Sequence, residues 1–245
     1  MKALILAAGV GQRLAVNHPK CLLRFGGQTL LERHIRSLRA LGVDSLAIGV
    51  GYESQAIAAE LASIGAQEFV STVYNPDYTR GSILSLWTLK ELLRQGEDMV
   101  LMDADVLYDG RILERLVTTP FLNCFLMDRN FEGGEEPVKL CVRGKQLVEF
   151  RKRLAPDLAY DYSGESVGFF RFSRSMAARL AERTEDYVQD GRLDEPYEEV
   201  IRDLLLESPE EFGFEDVTGL PWVEIDFPQD IERAQKEILP QINGP

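Results

Sequence analysis

The sequence is poor in the residues that usually announce a mechanism. Among 245 residues there are two histidines, two tryptophans and three cysteines. The cysteines, Cys21, Cys124 and Cys141, lie far apart with no CxxC. That spacing argues against a disulfide frame and a zinc site and reads as reduced thiols in a cytoplasmic protein. Positive charge is also short, with 27 Lys and Arg against 40 Asp and Glu and a net charge of −13. Nucleic acid is therefore not the expected partner, because surfaces that grip a phosphodiester backbone are basic. No apolar run approaches the roughly 20 residues that span a bilayer, so no membrane partner is expected. The opening "MKALILAAG" does not read as a signal peptide, since its apolar run is short and glycine and charge follow at once. An acidic chain that binds an anionic nucleotide has to do so locally, with backbone N–H groups, a few placed cations and a metal ion.

What is present is an alternation of elements. "KALILAA" is a continuous apolar run of strand length, the mark of a strand buried on both faces. "QTLLERHIRSLRALG" carries Leu31, Ile35 and Leu38 at helical spacing and stops at Gly42. "DSLAIGVG" reads as a second strand, "ESQAIAAELASIG" as a second helix and "EFVSTVY" as a third strand. After the loop "NPDYTRG", "SILSLWTLKELLRQG" reads as a third helix and "DMVLMDAD" as a fourth strand ending in acids. Such alternation implies βαβ units and a mostly parallel sheet, whose ligands bind beyond the carboxyl ends of the strands. Further on, "FLNCFLMD", "PVKLCVRGKQLVEFRK" and "ESVGFFRFS" read as strands, with a hairpin turn at Arg143-Gly144-Lys145. Helices over "SRSMAARLAER" and "DEPYEEVIRDLLLE", a strand near "WVEID" and a helix "PQDIERAQKEIL" close the chain. The length suits one domain over residues 1–245. Residues 129 to 137, "RNFEGGEEP", read as a surface loop or lid, with about 129–165 as a β insertion on the substrate side.

The stretch "LAAGVGQRL" at Leu6 to Leu14 follows the first strand, and "HPKCLL" follows it. It is not a P-loop, which needs GxxxxGK and then Ser or Thr. It is a poor dinucleotide fingerprint too, because Leu14 stands at the third glycine position and no acidic ribose reader ends the second strand. What remains are small residues that let a base and triphosphate approach the backbone. After them come Arg13, which can pair bidentately with phosphate oxygens, and Lys20, a compact charge beside them. The alternative is an ordinary strand-to-loop turn with surface cations.

"LAAGVGQRL" and "PKCLL.F.G.TLLERHI..L...G" resemble the N-terminal signature of nucleotidylyltransferases that act on sugar phosphates and phospho-alcohols. Cys21 stands where that signature usually has a second proline. The resemblance continues in "YNPDYTRGSILSLW", "LMDADVLYD", "GESVGFFRFS" and "WVEIDFPQDIERA", and so spans nearly the whole chain. It is closest to cytidylyltransferases that make CDP-alcohols, such as the bacterial phosphocholine type, with inositol-phosphate and aminoethylphosphonate cytidylyltransferases as near relatives. The resemblance implies a three-layer α/β/α Rossmann-like (GT-A type) fold, with a mixed, mostly parallel sheet and a small β insertion. It implies transfer of a cytidylyl group from CTP to a small phosphomonoester or phosphonate, giving a CDP-alcohol and pyrophosphate with Mg2+ as cofactor. A homodimer is the assembly considered.

Candidate residues follow. Asp103, Asp105 and Asp109 cluster at one strand end, and Asp226 follows an apolar strand much later. A hard cation such as Mg2+ takes oxygen ligands, and Asp105 and Asp226 suit it if both strands run to the same edge. The resemblance assigns the metal to these two, with Asp103 behind them orienting ligands or the ribose. Asp109 reads better as a turn acid. The resemblance places the nucleotide against Leu6, Ala7, Ala8, Gly9 and Gly11 and near Gly81 and Ser82. Ser82 also reads as a helix N-cap. Lys152, where the family pattern carries a lysine, is the candidate cation for the incoming phosphate, with Arg151 and Arg153 beside it. A basic patch at a strand end is the alternative. For the acceptor, Tyr160, Asp161, Tyr162 and Glu165 suggest an ammonium site of aromatics and acids. Packing tyrosines are the alternative. The attacking phosphate has its second pKa near 6, so no general base is needed. His18 in a loop and His34 among polar helix positions are read as structural. Competing readings are a sugar-1-phosphate nucleotidylyltransferase using another NTP, a DxD glycosyltransferase and a non-catalytic nucleotide-binding regulator.

Overall fold

The computed structural model describes residues 1–14, 18–131, 134 and 136–242. Of the loop read as a lid, residues 132, 133 and 135 lie outside the described residues. The strands are β1 (Lys2–Ala7), β2 (Arg24–Phe25), β3 (Gln28–Thr29), β4 (Ser45–Val50), β5 (Val70–Tyr74), β6 (Met99–Asp103) and β7 (Val106–Tyr108). They continue with β8 (Asn123–Asp128), β9 (Lys139–Arg143), β10 (Gln146–Arg151), β11 (Tyr162–Phe172), β12 (Phe212–Asp216) and β13 (Trp222–Glu224). The helices are α1 (Leu30–Ala40), α2 (Ser54–Ser63), α3 (Ile83–Thr88), α4 (Lys90–Leu93), α5 (Gly110–Thr118), α6 (Arg174–Gln189), α7 (Glu198–Glu207) and α8 (Pro228–Arg233).

Nine strands form one mixed sheet in the order β10-β9-β11-β6-β1-β4-β5, with β8 joined to β11 and β12 to β8. Its β6-β1-β4-β5 half is wholly parallel, as the βαβ alternation requires. Helices cover both faces, which explains why β1 reads as an unbroken apolar run. Ile5 packs among Leu31, Ile35, Ile57 and Ile112 on one face. Leu4 packs among Leu86, Leu101, Leu180 and Ile201 on the other. The three-layer α/β/α arrangement is thus the one the sequence implies. Among the described residues no helix is long and apolar enough to cross a membrane.

Local details differ from the sequence reading. The third helix breaks at Leu89 (φ −95°, ψ 3°) into α3 and α4. The last helix stays α-helical only to Arg233 and widens into a π turn over Ala234–Ile238. Helix α5 went unread because it begins right after the acidic motif. Asp109 caps it, accepting the backbone N–H of Arg111 at 3.0 Å, so this acid has the turn role expected of it. The hairpin at Gly144 forms as read, with φ +65° at the glycine.

Candidate active site

The site is built where strand ends converge. The chain leaves β6 at Asp103, turns through Ala104 and Asp105, and enters β7. Strand β13 pairs antiparallel with β7, setting Glu224 opposite Val106. Just past it the N–H of Ile225 donates to the carbonyl of Asp105 at 3.0 Å. One backbone bond thereby draws Asp105 to the pair flanking Ile225, and the carboxylates of Asp105, Glu224 and Asp226 each place an oxygen within 4.8 Å of the others. Asp226 is held from below, where Asp230 of α8 accepts the N–H groups of Asp226 and Phe227 at 2.9 and 2.7 Å.

The glycine loop delivers cations to these acids. Gly11 has φ +64°, a conformation that L side chains disfavour, and the stem of Lys20 lies against it. A Cβ at Gly11 would stand 3.2 Å from Lys20 Cγ. The Lys20 ammonium donates to Asp105 at 2.8 Å and to Asp226 at 2.6 Å. Burial opposes its charge, but the two carboxylates outweigh burial and raise its pKa above the ordinary lysine range. Arg13 reaches Glu136 at 3.0 Å and Asp226 at 3.9 Å, and stacks over the Phe227 ring.

These residues open into a cleft of about 430 Å3 lined by Leu6, Ala7, Ala8, Gly9, Gly11, Arg13, Lys20, Ser82, Asp103, Asp105 and Asp226. Tyr78, Arg80, Ser85, Tyr197, Glu198 and Glu224 also line it. Gly81 does not. It packs against the 194–195 backbone, where an added Cβ would stand 2.5 Å from Glu195 O. Ser82 stands at the N-cap position of α3 as read but makes no side-chain capping bond, because its backbone is already helical and its hydroxyl accepts the N–H of Tyr197 at 2.9 Å. Asp103 accepts the Tyr197 hydroxyl on both oxygens at 2.9 Å. Burial, then the charges of Asp105 and Glu224, push its pKa well up. Glu224 opens onto the cleft, yet the surrounding walls and then Asp105 and Asp226 raise its pKa in the same way.

A second cavity of about 510 Å3 shares Arg13 and Glu198 with the first. Lys152 lies in it, 3.7 Å from Glu136, so one glutamate ties Lys152 to Arg13. The four residues of the ammonium reading are not brought together. Asp161 accepts the N–H of Gly144 at 2.7 Å and so braces the hairpin turn. Tyr162 stacks under Arg129 and lines another hollow, and Tyr160 is exposed. Glu165 sits across from Asp128 and Lys139. Tyr160 and Asp161 precede β11, and within that strand Tyr162 and Glu165, three positions apart, stand on opposite faces.

His34 is another correction. It is fully buried, not on the polar side of α1, with Nε2 3.2 Å from the carbonyl of Ala104 and its ring stacked on Tyr108. Burial pushes its pKa down to about 4, so the ring is neutral. The three cysteines are free and buried.

Sequence reasoning missed Glu224, Tyr197, Glu198 and Glu136. For Glu224 a signal existed, because positions two apart on an extended strand share a face, and "EID" therefore aims Glu224 with Asp226. Tyr197 and Glu198 had none, since only the packing of α7 brings them to the cleft.

The fold is that of known nucleotidyltransferases. The solved structure of a CTP:phosphocholine cytidylyltransferase from Streptococcus pneumoniae superposes with a TM-score of 0.74 at 21% identity, covering 96% of this chain and 97% of that one. Residues 3–187 match the MobA-like NTP transferase domain, and the chain belongs to that family. A bifunctional IPC transferase and DIPP synthase of Rubrobacter xylanophilus is 30% identical over 241 residues, 97% of this chain and 52% of the relative. A CMP-5'-(3-aminopropyl)phosphonate synthase of Streptomyces rubellomurinus is 24% identical over 262 residues, 100% of this chain and 41% of the relative. The chain thus spans about half the length of these two curated relatives. Family membership supports NTP-transferase activity as the general class.

Proposed function

We propose that this protein transfers a cytidylyl group from CTP to a small phosphomonoester or phosphonate, releasing pyrophosphate. The observation that carries the reading is the convergence of Arg13 and Lys20 with Asp105, Glu224 and Asp226 in one cleft, beside a second cavity that holds Lys152. Cytidine as the base is supported by the names of three related proteins, a CTP:phosphocholine cytidylyltransferase, a CTP:phosphoglutamine cytidylyltransferase and a CMP-5'-(3-aminopropyl)phosphonate synthase.

An acceptor phosphate oxygen attacks the α-phosphorus of CTP, and the bond from that phosphorus to the bridging oxygen breaks. The attacker is already largely dianionic at neutral pH, so no proton need be removed. The difficulty is repulsion between anions, and the work of the chain is positioning and charge neutralisation. Ala7 to Gly11 admit the nucleotide close to the backbone. Lys20 and Arg13 neutralise the triphosphate and the departing pyrophosphate, and Lys152 and Arg13 hold the acceptor phosphate. Asp103, fixed by Tyr197, stands where it can orient the ribose. Asp105, Glu224 and Asp226 offer a divalent cation the hard oxygen donors that Mg2+ prefers, and Asp105 and Asp226 already accept one cation, the Lys20 ammonium. When bound, Mg2+ would supply further charge neutralisation on the phosphates. The buried, unpaired thiols suit a reducing compartment such as the cytoplasm.

The test is pyrophosphate release from each of four NTPs with a panel of phosphomonoesters. CTP with a phospho-alcohol or aminoalkyl phosphonate is the expected productive pair. Turnover confined to a sugar 1-phosphate with another NTP would replace this reading with the sugar-nucleotide one. Asp105→Asn and Asp226→Asn should abolish metal-dependent turnover. Lys20→Ala should cost about 10²- to 10³-fold in kcat.

A further inference from the structure

In the second cavity the charges are paired almost completely. Glu136 takes Arg13 and Lys152, and Glu199 takes Arg151 at 2.9 Å. Glu198 is the exception. It opens α7 and lines both cavities, between the nucleotide cleft and the cavity of Lys152. Its Oε2 is buried and, among the described residues, has no hydrogen-bond partner. Burial raises its pKa above the ordinary glutamate range, against the pull of its own backbone N–H, the Lys152 charge and the helix dipole, so this carboxyl lacks a partner that would hold its charge. None of these supplies a donor to Oε2. A buried polar atom left bare in a folded protein calls for an explanation, and a ligand group is one.

We propose that Glu198 determines acceptor specificity by receiving the N–H of a primary ammonium. This rests on the nucleotidyl-transfer reading above and names its acceptor class, a short aminoalkyl phosphate or phosphonate. Its phosphate goes to Arg13 and Lys152, and its amine to Glu198 at the border of the same cavity. A hydroxyl would satisfy Oε2 but leave the carboxylate charge uncompensated, whereas an ammonium brings donor and charge together. A quaternary ammonium brings charge without an N–H. It is best held by several aromatic faces, whereas the tyrosines of residues 160–162 do not line this cavity and its aromatic, Phe150, is buried with its ring packed on Phe125 and Phe170. The geometry therefore favours a primary over a trimethylated amine.

The experiment compares kcat/KM for pyrophosphate release with saturating CTP and Mg2+ for 2-aminoethyl phosphate, phosphocholine and propyl phosphate. Wild type should prefer 2-aminoethyl phosphate by at least about 30-fold, the lower end for a charge left unpaired. Glu198→Gln should erase that preference, lowering kcat/KM for the amine at least about 30-fold more than for propyl phosphate, with a melting curve matching wild type. Glu198→Asp, which keeps the charge on a shorter stem, should restore part of the preference. A preference for phosphocholine or propyl phosphate in the wild type, or one that survives in Glu198→Gln, overturns the assignment of Glu198 and leaves nucleotidyl transfer standing. A wild type silent with every acceptor and every NTP overturns the underlying reading, and the inference with it.

Discussion

Two buried or half-buried residues should shape the pH dependence of stability in opposite senses. His34 ordinarily titrates near 6.5 and is held at about 4 in the fold, burial being the main cause. Its folded pKa is depressed, so its contribution is complete above pH 6.5 and is lost as pH falls toward 4, an effect on the order of 3 kcal/mol. Glu165 behaves the other way. Burial, then the nearby Asp128 charge, raise its pKa from 4.5 to about 7. Its contribution is complete below pH 4.5 and is lost as pH rises through 7. Urea unfolding from pH 4 to 8 reads both slopes. His34→Gln, which keeps an N–H for the Ala104 carbonyl, should flatten the acid limb, and Glu165→Gln the slope from 4.5 to 7. Unchanged slopes in these variants would remove both residues from the account.

At the scale of elements, β11 is the strand that must fit around the site. Its register against β8 shifts between Ser166 and Phe170, and Gly168 lies in the bulge with φ +79°. A Cβ there would stand 2.3 Å from Asp103 Oδ2. Gly168→Ala should therefore cost about 1–3 kcal/mol and displace Asp103 from the Tyr197 hydroxyl. Gly144→Ala is the matched control, because Gly144 also has positive φ (+65°) but nothing lies within 4 Å of an added Cβ. If the two alanine variants lose equal stability and bind nucleotide alike, the strand does not set Asp103. What the sequence made legible divides along the same line. The parallel half of the sheet, α1 and the hairpin at Gly144 follow from periodicity and turn chemistry. Asp105 and Asp226 were legible from their places at strand ends and from the resemblance. Glu198, Tyr197 and Glu136 were not, because tertiary packing alone brings α7 and the segment before β9 to the cleft. The ammonium grouping joined two residues that precede β11 with Tyr162 and Glu165, which stand on opposite faces of it.

Across the whole molecule, the cleft joins segments remote in the chain. Lys20 and Asp226 are 206 residues apart and 2.6 Å from each other. The glycine loop, the β6–β7 corner and the β13–α8 segment meet there in a chain of net charge −13, with Asp103, Asp105, Glu198, Glu224 and Asp226 all lining one cleft. Mutual repulsion among these acids opposes the closed arrangement, and among the described residues Lys20 alone bridges Asp105 and Asp226. A divalent cation with a triphosphate should therefore stabilise the fold by acting on distant segments at once. At a hundredfold excess over Kd the linkage is about 2.7 kcal/mol, which for a chain of this size is roughly 5–10 °C in Tm. CTP in EDTA should give a much smaller shift, because the triphosphate then meets the acids without the cation. Asp226→Asn should lose most of the difference between the Mg2+ and EDTA conditions, since it removes one of the three converging carboxylates. Hydrogen exchange should show the added protection at residues 18–22 and 222–227 together. Equal shifts with and without Mg2+, or protection confined to one of the two segments, would mean that the two ends of the chain are not joined through a metal-nucleotide site.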